Sequence, residues 1–359
     1  ALKLSMPIAV LSAMKECSGR SITVKGGKYL EAVAEADTIV FDKTGTLTKA
    51  QPVVVKVVPF GGNDRDEMLR LAACLEEHFP HSMANAVVRK AQEERLWHEE
   101  IHTKVEYIVA HGISSTVNGE RAVIGSYHFV FEDEGSTVPE GEEERFETLS
   151  PEYTHLYMAI SGKLAAVVCI QDTLRAEAAD TVRLLRECGV KRIVMMTGDS
   201  RRTAEAVAKK VGVDEFYAEV LPEDKAAFVE KEKKKGRKVI MVGDGINDSP
   251  ALSASDAGIA ISEGAQIARE IADITISAEN LYAFVELRMI SNALMRRIQR
   301  NYHFVAGFNF GLIVLGAMGV LSPASSALLH NTSTIGVSLK CMTDLIRPEE
   351  YEAVERNRL

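Results

Sequence analysis

The stretch FDKTGTLTKA, residues 41–50, carries one acid, Asp42, followed by lysines, threonines and a glycine. It continues an apolar run that begins at Thr38, so Asp42 stands at the end of a predicted buried strand. Aspartate, threonine and glycine are ordinary turn formers, so the stretch alone is compatible with a strand that stops at a turn. It is also compatible with a nucleophilic carboxylate at the carboxyl end of a parallel strand, where open α/β sheets place their chemistry.

Two further stretches repeat this pattern, KRIVMMTGDS at 191–200 and RKVIMVGDGIND at 237–248. Each follows a helical pattern that ends at a glycine, Gly189 or Gly236. Strands that alternate with helices in this way predict an α/β fold, a doubly wound parallel sheet, with all three polar ends at one edge. These ends hold the candidate site residues Thr197, Gly198, Asp199, Asp244, Asn247 and Asp248.

The composition indicates a globular protein without the charge of a nucleic-acid binder. The chain has 359 residues, of which 46% are hydrophobic, and a net charge of -9. This length suggests roughly two or three domains, and the negative charge argues against a nucleic-acid partner. The five cysteines are scattered and form no CxxC pair. Their spacing argues against both a disulfide framework and a structural zinc site.

Residues 52–165 differ from the sequence on either side and are predicted to form an inserted α+β domain. Residues 66–96 have the pattern of one helix, and Asn118-Gly119 suits the turn of a β-hairpin. The insertion divides the α/β domain into two parts. The predicted limits are 1–34 for a helix tail and stalk, 35–51 and 166–282 for the α/β domain, 52–165 for the insertion, and 283–359 for a second stalk with two transmembrane helices.

The apolar stretch HFVAGFNFGLIVLGAMGVLS, residues 303–322, is long enough to cross a bilayer, and a weaker stretch follows Pro323. A buried core helix is the alternative. Basic residues flank both stretches, so we expect both flanks to be cytoplasmic. The sequence therefore predicts a multi-pass protein of a cell membrane, with lipid as a partner and its catalytic domains in the cytoplasm. The chain starts at Ala1 without methionine, so we expect it to be one piece of a longer protein.

The acids at the sheet edge suit phosphoryl transfer. An aspartate such as Asp42 can attack a phosphoryl group and form an acyl phosphate, which needs positive and hydrogen-bonding groups around it. Lys225 in LPEDK supplies a cation. Asp42 and Asp244 could hold Mg²⁺ together with a backbone carbonyl, that of Thr44. No GxxxxGK[ST] motif is present, so ATP is not expected in a Walker-type loop. The candidate hydroxyl and N–H donors are Thr44, Thr197 and Gly198.

Together, DKTGTLT, MTGDS and MVGDGINDSPAL resemble the phosphorylation-domain signatures of P-type ATPases, in that family's order and followed by two membrane segments. The resemblance implies a HAD-like phosphorylation domain, an aspartyl phosphate at Asp42, and ATP and Mg²⁺ as cofactors. It also implies ATP-driven transport of a cation. The residues that fall on motif positions are Lys43, Thr44, Thr197, Gly198, Asp199, Lys225, Asp244, Asn247 and Asp248.

The stretch EEHFPHSMANAVV, residues 76–88, resembles the nucleotide-domain motif of the heavy-metal branch. The resemblance implies that Glu76, His81, Gly112 and Gly125 contribute to the ATP site, with His81 stacking on or orienting the base. Ser82 stands where this branch has a proline. The implied function is ATP-driven transport of a transition or heavy metal cation.

The two membrane segments contain polar residues that are candidates for the transported ion. Asn309 lies in the first segment, and His330, Ser333 and Thr334 lie in the second. Copper pumps of the family have methionine where this chain has His330. Imidazole suits zinc, copper, iron and nickel, so the metal stays open. Packing and helix–helix hydrogen bonds are the alternative role for the hydroxyls. The family resemblance places a Cys-Pro-Cys-type ion motif and an actuator domain upstream of Ala1.

Two other classes of enzyme are compatible with parts of the sequence. HEEIH, residues 98–102, fits the H-E-x-x-H pattern of zinc metalloproteases, with His98 and His102 as ligands. A soluble phosphatase of the same catalytic fold is the third possibility. Such enzymes commonly carry a second aspartate two residues after the nucleophile, where this chain has Thr44.

Overall fold

The computed structural model of the chain describes residues 2–78, 82–96, 106–108, 112–150, 152–244, 248–262, 270–277 and 280–355. These form two compact units. The first unit comprises 1–46, 176–198 and 210–359, and the second comprises 47–175 and 199–209.

The described strands, in chain order, are β1 (Ile22–Val24), β2 (Thr38–Asp42), β3 (Thr48–Pro59), β4 (Glu106–Ile108), β5 (Gly112–Val117), β6 (Glu120–Gly125), β7 (Thr154–Ile160), β8 (Lys163–Leu174), β9 (Arg192–Met196), β10 (Glu215–Tyr217), β11 (Val239–Gly243), β12 (Ala257–Ser262) and β13 (Ile274–Ser277).

The described α-helices are α1 (Leu2–Ser18), α2 (Gly27–Glu35), α3 (Arg65–Glu76), α4 (Ser82–Glu93), α5 (Glu143–Glu147), α6 (Ala178–Glu187), α7 (Arg201–Val211), α8 (Pro222–Lys234), α9 (Ser249–Ala254), α10 (Tyr282–Ala317), α11 (Pro323–Cys341) and α12 (Pro348–Glu355).

The first unit contains a seven-stranded sheet in the order β1-β13-β12-β11-β2-β9-β10. All neighbours are parallel except the pair β1 and β13. Strand β2 lies inside the sheet between β11 and β9, where Val40 pairs with Met241 on one side and Val194 on the other. The predicted doubly wound α/β sheet is confirmed, and its three motif-bearing strands are direct neighbours.

The sequence of β2 explains its position inside the sheet. All five of its residues are buried, which is typical of a parallel strand covered on both faces. Val40 belongs to a core cluster with residues of α8 and α9, including Val229 and Leu252. Phe41 meets the ring of Phe284 from α10 edge to face, with ring centroids 5.8 Å apart. This packing fixes the end of β2, where Asp42 stands.

The second unit contains a six-stranded sheet in the order β3-β8-β7-β6-β5-β4, and every pair is antiparallel. The predicted hairpin turn is present between β5 and β6, where Asn118 and Gly119 have φ of 51° and 87°. This unit extends beyond the predicted insertion 52–165 at both ends, because β3 and β8 pair with each other in its sheet.

The prediction of one helix over 66–96 is wrong. The structure has two helices there, α3 and α4, and Pro80 lies in the sequence between them. Proline lacks an N–H and clashes with the preceding turn, so a helix rarely continues through it. Both helices contribute to the core cluster on the sheet, α3 through Leu69 and Leu75 and α4 through Val87.

The C-terminal helices belong to the first unit, where α1 packs against both α10 and α11. Helix α10 ends at Ala317, and Gly319 with φ of 74° follows it. The predicted segment 303–322 is therefore helical only in its first part. Among the helices described, none is at once long enough and apolar enough to count as a membrane span.

Candidate active site

Asp42 is the last residue of β2 and is only 6% exposed. The chain turns sharply after it. Thr44 has φ −75° and ψ 126°, and Gly45 has a positive φ of 75°. A positive φ suits glycine, because a residue with a Cβ is strained there. The turn leaves the Thr44 side chain exposed at the same strand end as the Asp42 carboxylate.

Lys225 connects the nucleophile candidate to a second acid. It lies in the first turns of α8, and its side chain is buried. Its Nζ donates to Oδ1 of Asp42 at 2.6 Å and to Oδ1 of Asp248 at 2.8 Å. The structure therefore brings three of the predicted site residues into direct contact.

Asp248 is fully buried at the start of α9. The backbone N–H of Asp244 supports its charged form, and its Oδ2 has no hydrogen-bond partner among the described residues. A Cβ on Gly243 would fall 2.3 Å from that Oδ2. The glycine in MVGDG is therefore required by the close approach of Asp248.

Burial dominates the electrostatics of this cluster. Burial first, and the charge of Asp248 second, raise the pKa of Asp42 to about 7, although Lys225 opposes the shift. Burial also raises the pKa of Asp248. For Lys225, burial lowers the pKa, but Asp42 and Asp248 outweigh this effect and raise it above the ordinary value. The ammonium of Lys225 therefore stays charged between the two carboxyl groups.

Thr197 and Gly198 follow β9, the strand beside β2. The N–H of Thr197 donates to the carbonyl of Tyr217, and its carbonyl accepts from Val220. Because this N–H is engaged, the hydroxyl is the donor that Thr197 could offer to a phosphoryl group. Gly198 is exposed, and a Cβ there would meet no described atom closer than 3.9 Å.

Asp199 and Asn247 are the remaining predicted residues of this group. Asp199 is half-buried and belongs to the second unit. Asn247 lies outside the described residues, as do His81 of the predicted ATP site and His98 and His102 of the alternative zinc site.

Oxygen donors are available for a divalent cation near Asp42. No group of three His, Cys, Asp or Glu side chains in the described part of the chain is already arranged around a metal position. Asp244 follows β11 and Thr44 follows β2, and Val242 of β11 pairs with Phe41 of β2, so both residues stand at the strand ends that carry Asp42. Two carboxylates and a carbonyl suit Mg²⁺, which keeps several of its waters.

The candidate nucleotide residues lie in the second unit. Glu76 ends α3 and is buried, which raises the pKa of its carboxyl to about 7. Gly112 and Gly125 face each other directly across β5 and β6. A Cβ on Gly112 would lie 2.4 Å from the carbonyl oxygen of Ile124 and 2.5 Å from the ring of Phe129. Close packing therefore already requires glycine at position 112.

The C-terminal helix pair brings together two predicted ion-site residues. Nδ1 of His330 in α11 lies 2.8 Å from Oδ1 of Asn309 in α10. The hydroxyls of Ser333 and Thr334 instead donate to the carbonyl of His330, at 2.8 and 2.9 Å. Hydroxyls that bond back to their own helix in this way are common.

Sequence reasoning missed a cluster at the base of α1. The Glu16 carboxylate accepts hydrogen bonds from the N–H groups of Leu345 and Ile346 and from the hydroxyl of Tyr351 at 2.6 Å. Arg20 stacks on the Tyr351 ring and pairs with Glu286 at 2.9 Å. These partners are remote from one another in the chain, and no local sequence motif predicts their contacts.

A family profile described as haloacid dehalogenase-like hydrolase matches residues 36–256, more than half of the chain. The chain belongs to the haloacid dehalogenase-like hydrolase family. The match covers Asp42, Lys225 and Asp248, the residues that the structure joins.

The predicted resemblance to heavy-metal P-type ATPases is also confirmed. The chain is 36% identical over 339 residues to a zinc-exporting P-type ATPase of Mycobacterium marinum, covering 94% of this chain and 46% of that protein. It is equally similar to a manganese-exporting P-type ATPase of Mycobacterium bovis, covering 94% of this chain and 47% of the relative. The chain thus spans about half the length of the curated relatives it matches.

The fold agrees with a solved structure of the same kind. A crystal structure of a zinc-transporting PIB-type ATPase in the E2.Pi state superposes with a TM-score of 0.77 and 32% identity, over 96% of this chain and 56% of that chain. This family member thus shares its arrangement of secondary structure with a metal-transporting ATPase.

Proposed function

We propose that the protein containing this chain is a P-type ATPase that transports a transition or heavy metal cation across a cell membrane through an aspartyl phosphate at Asp42. The single observation that carries the proposal is the bridge from Lys225 to Asp42 and Asp248 at the carboxyl edge of the sheet. The relatives named as metal-exporting ATPases support it.

Asp42 is the attacking group in this proposal. Lys225 bonds its Oδ1, so Oδ2 attacks the γ-phosphorus of ATP. The bond between that phosphorus and the bridging oxygen to the β-phosphate breaks, and ADP leaves with the electron pair. Burial makes ionised Asp42 costly, and the adjacent ammonium offsets this cost. The same ammonium stabilises the negative charge of the transferring phosphoryl group.

Mg²⁺ would be held by the carboxylates of Asp42 and Asp244 and by the backbone carbonyl of Thr44. When bound, it supplies positive charge that screens the phosphoryl oxygens from the attacking carboxylate. The residues present fit this ion, because two of these donors are carboxylates, the buried Asp42 and the half-buried Asp244, and all three donor atoms are oxygens. Thr197 and Gly198 supply hydrogen-bond donors beside it.

ATP is proposed to bind in the second unit, near Glu76, Gly112 and Gly125, with His81 at the base. The support is that Gly112 and Gly125 face each other across β5 and β6, in the same unit as Glu76. The buried Glu76 carboxyl, with its raised pKa, is suited to donate a hydrogen bond to the base near neutral pH.

The membrane part of the proposal rests on α10 and α11. Many large apolar side chains on these helices are exposed, which is unusual for helices bathed in water. The clearest examples are Phe310, Ile313, Leu328, Ile335 and Leu339. We place these faces in lipid, with the parallel sheet of the first unit and the antiparallel sheet of the second in the cytoplasm.

The metal would pass the pair formed by Asn309 and His330. An amide oxygen and an imidazole nitrogen are both metal ligands, and the imidazole suits zinc, copper, iron and nickel. Ser333 and Thr334 are weaker candidates, because their hydroxyls bond to the carbonyl of His330. Stimulation of ATP hydrolysis by individual metals would identify the transported ion.

The test is metal-stimulated ATP hydrolysis by the full-length protein in lipid vesicles, with manganese, iron, cobalt, nickel, copper and zinc supplied one at a time. We expect stimulation by one or two metals, abolished in Asp42→Asn. Rapid phosphate release without metal or lipid would support the soluble phosphatase, and peptide hydrolysis lost in His98→Ala would support the metalloprotease.

A further inference from the structure

We propose that the groove between α10 and α11 at Arg300 and Lys340 binds one anionic phospholipid. The groove encloses about 380 Å³. This volume falls within the usual range of small-ligand pockets, and it is large enough for a phosphoglycerol headgroup. The inference rests on the proposed membrane insertion of the two helices, but it assigns a ligand that transport itself does not require.

The polar lining of the groove favours an anion. Arg300 and Lys340 contribute the two charged side chains, and no acid lines the groove among the described residues. Neither cation forms an ion pair with a described residue, and both are exposed. Arg297, one turn earlier on α10, instead donates to the carbonyls of Thr343 and Asp344. Arg300 and Lys340 are thus the cations available to a ligand.

The rest of the lining favours a lipid over a small soluble anion. Phe304, Gly336 and Val337 form an apolar wall beside the two cations, and the uncharged polar residues Asn301 and Ser333 complete the lining. The exposed side chains of Ile335 and Leu339 continue this wall along α11. An acyl chain can follow that surface while its phosphate meets the cations. Basic pockets between helices at the cytoplasmic face of a membrane attract anionic headgroups for the same reason.

Gly336 shows that the groove is open. A Cβ at this position would meet no atom within 4 Å. A larger side chain could therefore enter the groove without displacing its walls. The position offers a way to fill the groove without changing its charge.

Binding is tested on the full-length protein in detergent, by native mass spectrometry of titrations with dioleoylphosphatidylglycerol and with dioleoylphosphatidylcholine. We expect one tightly retained phosphatidylglycerol and no retained phosphatidylcholine. The pair Arg300→Gln and Lys340→Gln should weaken retention by about tenfold or more, because each cation near a lipid surface contributes noticeably. The control pair Arg296→Gln and Arg347→Gln removes the same charge from exposed positions outside the groove and should change retention less than about twofold.

A second variant separates shape from charge. Gly336→Leu should abolish retention by filling the groove, while Gly307→Leu should not. Gly307 lies on α10, also has open space around it, and does not line the groove. Because a Cβ at either glycine would meet no atom within 4 Å, and leucine favours helix more than glycine does, neither change is expected to unfold the helices.

Several outcomes would overturn the proposal. Equal weakening by both charge pairs would mean general attraction to basic helices, and displacement of the lipid by millimolar inorganic phosphate would mean a free-phosphate site. No retained lipid in the wild-type protein would mean that another segment covers the groove. Metal-stimulated hydrolysis, measured on the same samples, reports the proposed function separately. Metal-stimulated hydrolysis without lipid retention would therefore contradict the lipid site and leave the proposed function standing.

Discussion

The Nζ atom of Lys225 lies 2.6 Å from Oδ1 of Asp42, although the two residues are 183 positions apart in the chain. The same nitrogen reaches Asp248, so one buried cation serves two buried carboxyl groups. The proposed phosphoryl transfer gives this energetically costly arrangement a chemical role. A carboxylate that attacks phosphate must be ionised, and the phosphoryl group then brings more negative charge to the same place.

Lys225→Ala is expected to lower the rate of phosphoenzyme formation by about 100-fold or more, because it removes the positive charge nearest to the nucleophile. The measurement is incorporation of ³²P from labelled ATP. Lys231→Ala, at an exposed position of the same helix α8, is the matched control and should behave as wild type. An equal loss in both variants, or none in Lys225→Ala, would contradict the role given to Lys225.

Thr44→Asp is expected to shorten the lifetime of the phosphoenzyme. A carboxylate at this exposed turn position could activate water against the acyl phosphate, whereas threonine is no general base near neutral pH. Pulse-chase decay of the label measures the lifetime. Thr44→Asn, similar in size but not acidic, should decay like wild type, and faster decay there would show that the hydroxyl itself protects the intermediate.

His330→Ala and Asn309→Ala should each lower metal-stimulated turnover and leave ATP binding unchanged, since the pair lies in the C-terminal helices. Because the two side chains contact each other, the double variant should lose no more than the worse single one. Asn331→Ala, at the exposed neighbouring position, is the control. Additive losses would mean that the two residues act separately.

Glu76→Gln should remove a pH dependence from the stability of the second unit. Burial raises the pKa of Glu76 from 4.5 to about 7. As the pH rises, the unfolded chain releases this proton at a lower pH than the folded chain does. The wild-type free energy of unfolding therefore falls between pH 4.5 and about 7, and it is level above that range. Glutamine has no proton to lose, so the variant should be the more stable one at pH 8, by up to about 3 kcal/mol, with little difference at pH 4.

This prediction is measured by urea denaturation, followed by fluorescence of the single tryptophan, Trp97, which falls within residues 47–175. Glu77→Gln, at the exposed neighbouring position, should show no such dependence. A constant difference between Glu76→Gln and wild type across the pH range would mean that the carboxyl of Glu76 does not titrate there.

Much of the fold could be predicted because its signals are local. The runs that end at Asp42, Thr197 and Asp244 are short, apolar and followed by glycine-containing turns, and they became three neighbouring strands. The hairpin at Asn118-Gly119 is local in the same sense. The apolar periodicity of residues 66–96 predicted one continuous helix, and this prediction gave too little weight to Pro80. Proline has no N–H to donate, so a continuous helix through it is disfavoured.

The contacts of the site needed the folded chain. The sequence predicted a cation at Lys225, but only packing of α8 against the sheet places that cation between two acids. The facing position of Gly112 and Gly125 depends on the register of β5 and β6. The cluster around Glu16 joins positions more than three hundred residues apart, which no spacing rule relates.

The most direct test of the account is the chemical identity of the phosphorylated residue. The full-length protein is incubated with Mg²⁺ and labelled ATP, quenched in acid, digested and sequenced by mass spectrometry. The account predicts one phosphorylated side chain, Asp42, with a label that hydroxylamine removes and that is absent in Asp42→Asn. A label that resists hydroxylamine, lies on another residue or persists in Asp42→Asn would contradict it.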